Sequence, residues 1–211
     1  MDNTEKTLTE QAYSYLKTRI QNCDYMPGVP LFEKQLCEEL GCGRTPIREA
    51  LLALKKENLV DIYPRKGMCV KPLEKDYINE IYQLRKLLEA TVACKFCHLF
   101  DKSVLLAYDD KFRHLDLSND QEYYSLDIEF HQFLVSVTNN HTLIEFYARL
   151  MQVQYRLGMY SSKVNTAVKD ISYPQHHAII EAILNEDSAE IERTISYHTN
   201  YSLVIALKTV L

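Results

Sequence analysis

Apolar residues recur at helical spacing from position 8 to about 22, at Leu8, Ala12, Tyr15, Leu16 and Ile20. The pattern predicts an amphipathic helix, with the polar residues 1–7 frayed ahead of it. Met26-Pro27-Gly28-Val29-Pro30 then breaks the chain. A shorter helix is expected over 32–40, stopped by Gly41, and Gly41-Cys42-Gly43 reads as a tight turn. A third helix is expected over about 46–57, with Ile47, Ala50, Leu51 and Leu54 on one face. Thr45 is placed to cap it, and Pro46 suits its first position. Residues 59–63 and 67–71 read as two short strands around Pro64-Arg65-Lys66-Gly67. Pro72 closes this stretch. Six further helices are expected near 74–100, 102–115, 120–138, 142–160, 166–185 and 187–209. No later strand, internal repeat or low-complexity segment is visible in the sequence.

Helix, short helix, glycine turn, helix and two-stranded hairpin is the order of a winged helix-turn-helix. The expected fold class is therefore mostly α. A winged helix-turn-helix of three helices plus a β-hairpin wing occupies residues 1–72, and an all-α bundle of about six helices occupies 73–211. At 46% apolar and 25% charged, the chain can bury real cores. It has no apolar run of membrane-spanning length, and residues 1–10 lack the basic start and apolar stretch of a secretory signal. No membrane partner is expected, and the location is expected to be cytoplasmic.

The net charge of −5 is unevenly spread. Residues 1–72 hold 11 Lys+Arg against 10 Asp+Glu, and residues 73–211 hold 13 against 19. Any nucleic-acid contact in the first part must therefore rest on local clusters of bases. Arg44, Arg48 and Lys55 supply one, on the third helix away from its apolar face. A cation at the start of a helix opposes the dipole, so stability does not explain Arg48. A phosphate or a guanine edge does. Arg65 and Lys66 sit at the hairpin tip, where a wing meets the backbone or the minor groove. For either taken singly, a solvated charge is the alternative.

All seven histidines follow residue 97. Asp127 and His131 are four apart and share a helical face among Ile128, Phe130, Phe133 and Leu134. His176 and His198 lie in the last two helices. One carboxylate and three imidazoles suit Zn²⁺ or another divalent transition metal, although spacing alone does not bring the four together. The six cysteines are scattered and read as small buried apolar groups, not a disulfide framework. Cys94-x2-Cys97 beside His98 leaves a redox pair or a metal half-site open, but no second pair follows it.

The stretch Pro27-Gly28, then Leu36-Cys37-Glu38-Glu39-Leu40-Gly41, Arg44-Thr45-Pro46-Ile47-Arg48-Glu49-Ala50-Leu51, Leu54, Leu59-Val60, Gly67 and Val70 resembles the N-terminal domain of the GntR family of bacterial regulators. The resemblance implies that Arg44, Thr45 and Arg48 touch operator DNA, with Gly67 of the wing beside it. Lys34 stands where the family often has arginine. Lysine keeps the charge but lacks the paired fork, which favours a phosphate contact. The second part resembles the FCD domain of the FadR subgroup. Its Asp-x3-His matches Asp127 and His131, its His-x5-Ala matches His176 to Ala182, and its last histidine matches His198. The pattern selects His176 over His177 and leaves out His98, His114 and His141. The resemblance also implies a small organic-acid effector beside the metal. Arg85 of the Arg-x3-Glu motif is a partner for it, with Arg149 and Arg156 as further candidates. An ion pair from Arg85 to Glu89 is the alternative. Tyr123, Tyr124, Tyr155 and Tyr160 can line a polar cavity or simply pack.

The expected function is a DNA-binding transcriptional regulator and not an enzyme. The resemblance favours a repressor that binds double-stranded operator DNA as a homodimer, controlled by a carboxylate near a Zn²⁺ ion, with Ni²⁺ or Mn²⁺ as the other choices. The alternatives are a metal-dependent enzyme fused to a DNA-binding module and a direct metal sensor.

Overall fold

In the computed structural model, helix α1 spans Leu8–Gln21 and begins with a capping box. The Thr7 hydroxyl accepts from the Glu10 amide, and the Glu10 carboxylate accepts from the Thr7 amide at 2.8 Å. Two amides with no partner inside the helix are thereby satisfied. Ala12, Leu16 and Ile20 are buried, while Leu8, on the same expected stripe, is exposed. The structure describes residues 6–65, 67–164 and 172–210. The chain divides into two compact units, Met1–Leu73 and Glu74–Leu211.

In the first unit β1 (Pro30–Leu31), α2 (Glu33–Leu40), α3 (Arg44–Lys56), β2 (Val60–Tyr63) and β3 (Gly67–Val70) follow α1. The wing is more than the expected hairpin. β3 pairs with β2 on one side and β1 on the other, both antiparallel, in the order β1-β3-β2. Two residues are too few to show strand alternation, so the sequence reading placed β1 in a loop. Gly41 ends α2 at φ 61°, a left-handed conformation that glycine adopts without steric cost. The start of α3 also differs from expectation. Gly43 is its N-cap, in extended backbone, and Thr45 is its second residue, so Thr45 does not cap it. Pro46 is tolerated there because first-turn amides have no helical partner. Arg48 is consequently the fifth residue of α3, just past the first turn. Ile47, Ala50, Leu51 and Leu54 pack with Leu16, Ile20, Leu36 and Val70 into one core. Each fully buried leucine or isoleucine contributes roughly 1.5–3 kcal/mol, so Leu54→Ala costs about 2–5 kcal/mol.

In the second unit the described helices are α4 (Lys75–Phe96), α5 (Lys102–Arg113), α6 (Asp120–Ser136), α7 (His141–Val164), α8 (Ser172–Leu184) and α9 (Ser188–Thr209), with a 3₁₀ turn at Cys97–Leu99. Asp101, Asn119 and Asp187 cap α5, α6 and α9 with side-chain oxygens. α9 packs along α4 and α8, and α6 along α4 and α7. The core holds Leu105, Phe112, Phe130, Leu134, Ile179, Ile183, Ile191 and Ile195. No helix among the described residues is long and apolar enough to cross a membrane.

Candidate metal centre and nucleic-acid interface

Three helices of the second unit aim polar side chains into its apolar interior. α6 supplies Asp127 and His131, α8 supplies His176, and α9 supplies His198; all four are buried. One ligand atom from each lies within 4.8 Å of the other three. His131 Nε2 is 3.1 Å from His198 Nε2 and 3.8 Å from Asp127 Oδ1. His176 Nε2 is 3.2 Å from Asp127 Oδ1. Ligands about 2.1 Å from one metal ion stand about 3–4 Å from each other, so these spacings suit one ion.

The atoms behind the ligands fix which nitrogen faces inward. His131 Nδ1 lies 2.8 Å from Glu89 Oε2, and His198 Nδ1 lies 2.9 Å from Gln175 Oε1. Burial alone would raise the Glu89 carboxyl, but Arg85 and His131 hold it below its ordinary range, so it is an acceptor. Both Nδ1 atoms then donate outward. The two Nε2 lone pairs are left facing each other across 3.1 Å in a buried site. That arrangement repels unless a cation or a proton lies between them. Burial drives His198 well below 6.5 and lowers His176, so protons are disfavoured. Burial would raise Asp127, but the His176 hydrogen bond and the neighbouring charges bring it down to about 2. Asp127 thus offers an anionic oxygen, and His176 and His198 neutral imidazoles, the forms in which these groups bind metal. The Phe112 ring stacks on His176 at 4.2 Å and limits its rotation.

Arg85 is fully buried and its Nε donates to Glu89 Oε1 at 2.8 Å, so the ion pair along α4 is present. Its two terminal nitrogens make no hydrogen bond among the described residues. A buried guanidinium fork without acceptors is costly, and an anion relieves that cost. A cavity of about 70 Å³ opens onto the cluster. That is room for several waters or a small acid in their place. Asp127 and His198 line it together with Tyr82, Tyr124, Gln154 and Tyr201. Tyr155 and Tyr160 do not line it. None of the three candidate arginines lines the cavity: Arg85 is buried beside Glu89, Arg149 is exposed and Arg156 is buried, the last two on one helix face. Gly158 lets the Tyr124 ring pack against α7, because a Cβ there would clash with the ring. His177 pairs with Asp109 at 2.7 Å, away from the ligand set. His98, His114 and His141 are exposed. Cys94 Sγ donates to the Ser188 carbonyl at 3.3 Å, tying α4 to the start of α9.

Glu89, Gln175, Tyr82, Tyr201 and Gly158 go beyond the sequence-derived site. Glu89 entered only as a possible partner of Arg85. For Gln175 the single signal is its place one residue before His176.

In the first unit Arg44, Thr45 and Arg48 are exposed along one side of α3. Arg48 Nε donates to Glu33 Oε1 at 2.8 Å. Lys34 is exposed, with Glu38 at 3.9 Å. At the wing tip Arg65 (φ 63°) and Gly67 (φ 100°) are exposed and turn the chain in left-handed backbone. Lys66 lies outside the described residues.

A helix-turn-helix with a basic outer helix, followed by a helical unit with an internal cavity, is the architecture of a DNA-binding regulator. Residues 8–70 match the bacterial regulatory proteins of the gntR family, and residues 80–201 match the FCD domain. The chain belongs to the gntR family, in its FCD-bearing branch. It is 23% identical to the HTH-type transcriptional repressor RspR of Escherichia coli K12, over 93% of this chain and 87% of that one. It is 27% identical to the HTH-type transcriptional repressor NanR of Cronobacter sakazakii, over 92% and 84%. Among solved structures, a GntR regulator from Rhodococcus sp. RHA1 superposes with a TM-score of 0.77 at 21% identity, covering 95% of this chain and 97% of that one. Escherichia coli McbR/YncC superposes with a TM-score of 0.74 at 22% identity, covering 97% and 99%. The matched families and relatives are regulators of transcription, not enzymes, which sets aside the enzyme alternative.

Proposed function

We propose that this protein is a transcriptional repressor that binds a pseudo-palindromic operator as a homodimer and is controlled by a small carboxylate bound beside a divalent metal. Arg44, Thr45 and Arg48 of α3 enter the major groove, Lys34 contacts phosphate, and Arg65, Lys66 and Gly67 of the wing lie along the backbone or minor groove. Two half-sites need two reading helices, hence the dimer. Repression is the role named for the relatives RspR and NanR.

Asp127, His131, His176 and His198 would hold the ion, with zinc the first choice from its preference for imidazole and carboxylate. When bound, it supplies a Lewis-acidic position for a carboxylate oxygen. This chain's own residues do the rest. Glu89 and Gln175 fix the imidazole tautomers, Arg85 presents its fork to the anion, and the tyrosine and serine hydroxyls of the cavity receive the body of the ligand. The observation that carries the reading is the orphaned fork of buried Arg85 in the same interior as the four ligands. The cavity beside the cluster favours an organic ligand over direct metal sensing. Effector and operator affinities then change each other by the same factor.

The test is a thermal-shift screen of zinc-reconstituted protein against a panel of small hydroxy and sugar acids. Hits are then titrated against binding to a duplex selected from a random library. The reading expects at least one carboxylate that stabilises the protein and weakens DNA binding, with both effects lost in Arg85→Met. A panel-wide absence of stabilisation, or hits unaffected by Arg85→Met, would count against it.

A further inference from the structure

Arg48 is not left to solvent. Its Nε donates to Glu33, the first residue of α2, so the contact spans the turn between the two helices of the motif. The Glu33 side chain is 22% exposed and that of Arg48 60% exposed. The carboxylate is thus the recessed member and the guanidinium the outer one. Lys34 and Glu38 on the same helix make a contrast, at 3.9 Å with both side chains open to solvent.

Stability is a poor reason for the pair, because exposed ion pairs contribute little. An acid on this side also opposes the approach of phosphates. What the contact does provide is orientation. An arginine reads guanine through two nitrogens of its planar fork. With Nε held by a protein carboxylate, the edge formed by Nη1 and Nη2 remains for O6 and N7, and side-chain freedom is reduced before DNA arrives. The carboxylate of Glu33 is held below its ordinary range, first by this hydrogen bond and further by Arg44, so the acceptor is charged.

We infer that Glu33 is a positioning residue for DNA recognition, holding the Arg48 guanidinium in the orientation that reads a base. The inference rests on Arg48 being a base-reading residue. Its consequence is a split in sign. Glu33 lowers affinity for DNA in general and raises it for the right sequence.

The experiment selects binding sites from a random duplex library with the full-length wild type and with Glu33→Ala, Glu33→Gln, Arg48→Ala and the Glu33→Ala/Arg48→Ala double variant. Fluorescence anisotropy then measures affinity for the selected duplex and for a scrambled one at fixed salt, with thermal melts as a check of folding. For Glu33→Ala, affinity for the selected duplex is expected to fall while affinity for the scrambled one rises, and their ratio to drop about tenfold. The base preference lost should be the one lost in Arg48→Ala, and the double variant should lose no more than Arg48→Ala. Glu33→Gln keeps an acceptor oxygen and should retain most of the preference. Equal tightening on both duplexes by Glu33→Ala would overturn the inference, as would loss of preference at a different base pair. If Arg48→Ala leaves every base preference intact, base reading by Arg48 fails first and the role of Glu33 goes with it.

Discussion

Glu89→Gln is the sharpest perturbation of the buried network. The carboxylate of Glu89 takes three contacts. Oε1 accepts from Arg85 Nε and from the Tyr147 hydroxyl, and Oε2 from His131 Nδ1. Glutamine offers one acceptor oxygen and an amide that can only donate, so at least one buried donor then faces another donor. The substitution also leaves the fully buried Arg85 charge without its partner. Breaking a buried pair from one side costs about 3–5 kcal/mol. At about 3 °C per kcal/mol for a domain of this size, the melting transition should fall by about 9–15 °C. His131 loses the carboxylate that orients it, so zinc affinity should fall about 10–100-fold. Scanning calorimetry of the full chain measures the first effect on the transition that zinc shifts, and competition with a chromogenic chelator measures the second. Arg85→Met/Glu89→Gln should recover part of the loss, because the unpaired charge is gone. A fall of less than about 3 °C with unchanged zinc affinity would refute the reasoning, and strictly additive variants would refute the coupling.

The metal-free protein should lose stability as pH drops below about 6.5, before ordinary carboxylates titrate. His176 and His198 have lowered pKa values when folded, so the unfolded chain takes up protons that the folded chain refuses, at up to about 1.4 kcal/mol per pH unit for each. Asp127, at about 2 against an ordinary 3.8, adds a loss below about pH 4. Urea melts across pH read both, and a flat profile from pH 7 to 5 would contradict the buried neutral imidazoles. Gly158→Ala pushes the Tyr124 ring off α7 toward the cavity. Overpacking of about 1–3 kcal/mol should outweigh the helix propensity gain of about 1 kcal/mol, and carboxylate affinity should drop with metal content unchanged. Thermal melts and effector titration check both effects. Arg44→Ala should reduce the salt dependence of DNA binding by about one unit of log–log slope, read by anisotropy across a salt series; an unchanged slope would remove Arg44 from the interface.

The parts legible in the sequence are those that periodicity controls. The buried face of α3 follows from Ile47, Ala50, Leu51 and Leu54, and the shared face of Asp127 and His131 from their four-residue spacing. Periodicity does not say which helices become neighbours, so the convergence of α6, α8 and α9 on one point needed the family resemblance. The support behind the ligands is harder still. Gln175 meets His198 across 23 residues and Glu89 meets His131 across 42, and nothing local marks either pair. Thr45 and Arg149 mark two limits of local rules. A capping residue type does not fix a helix start when a glycine two positions earlier already supplies extended backbone. A seven-residue spacing aligns Arg149 with Arg156 but does not say how far along α7 the neighbouring helices reach.

The most direct test of the account is the metal content of the purified protein, measured by plasma mass spectrometry before any chelator is used, in wild type and in His176→Ala/His198→Ala. The account predicts about one transition-metal ion per chain in the wild type, held by Asp127, His131, His176 and His198, and loss of that ion in the double variant. A wild type that holds no ion, even after reconstitution with zinc, manganese or nickel, would contradict it.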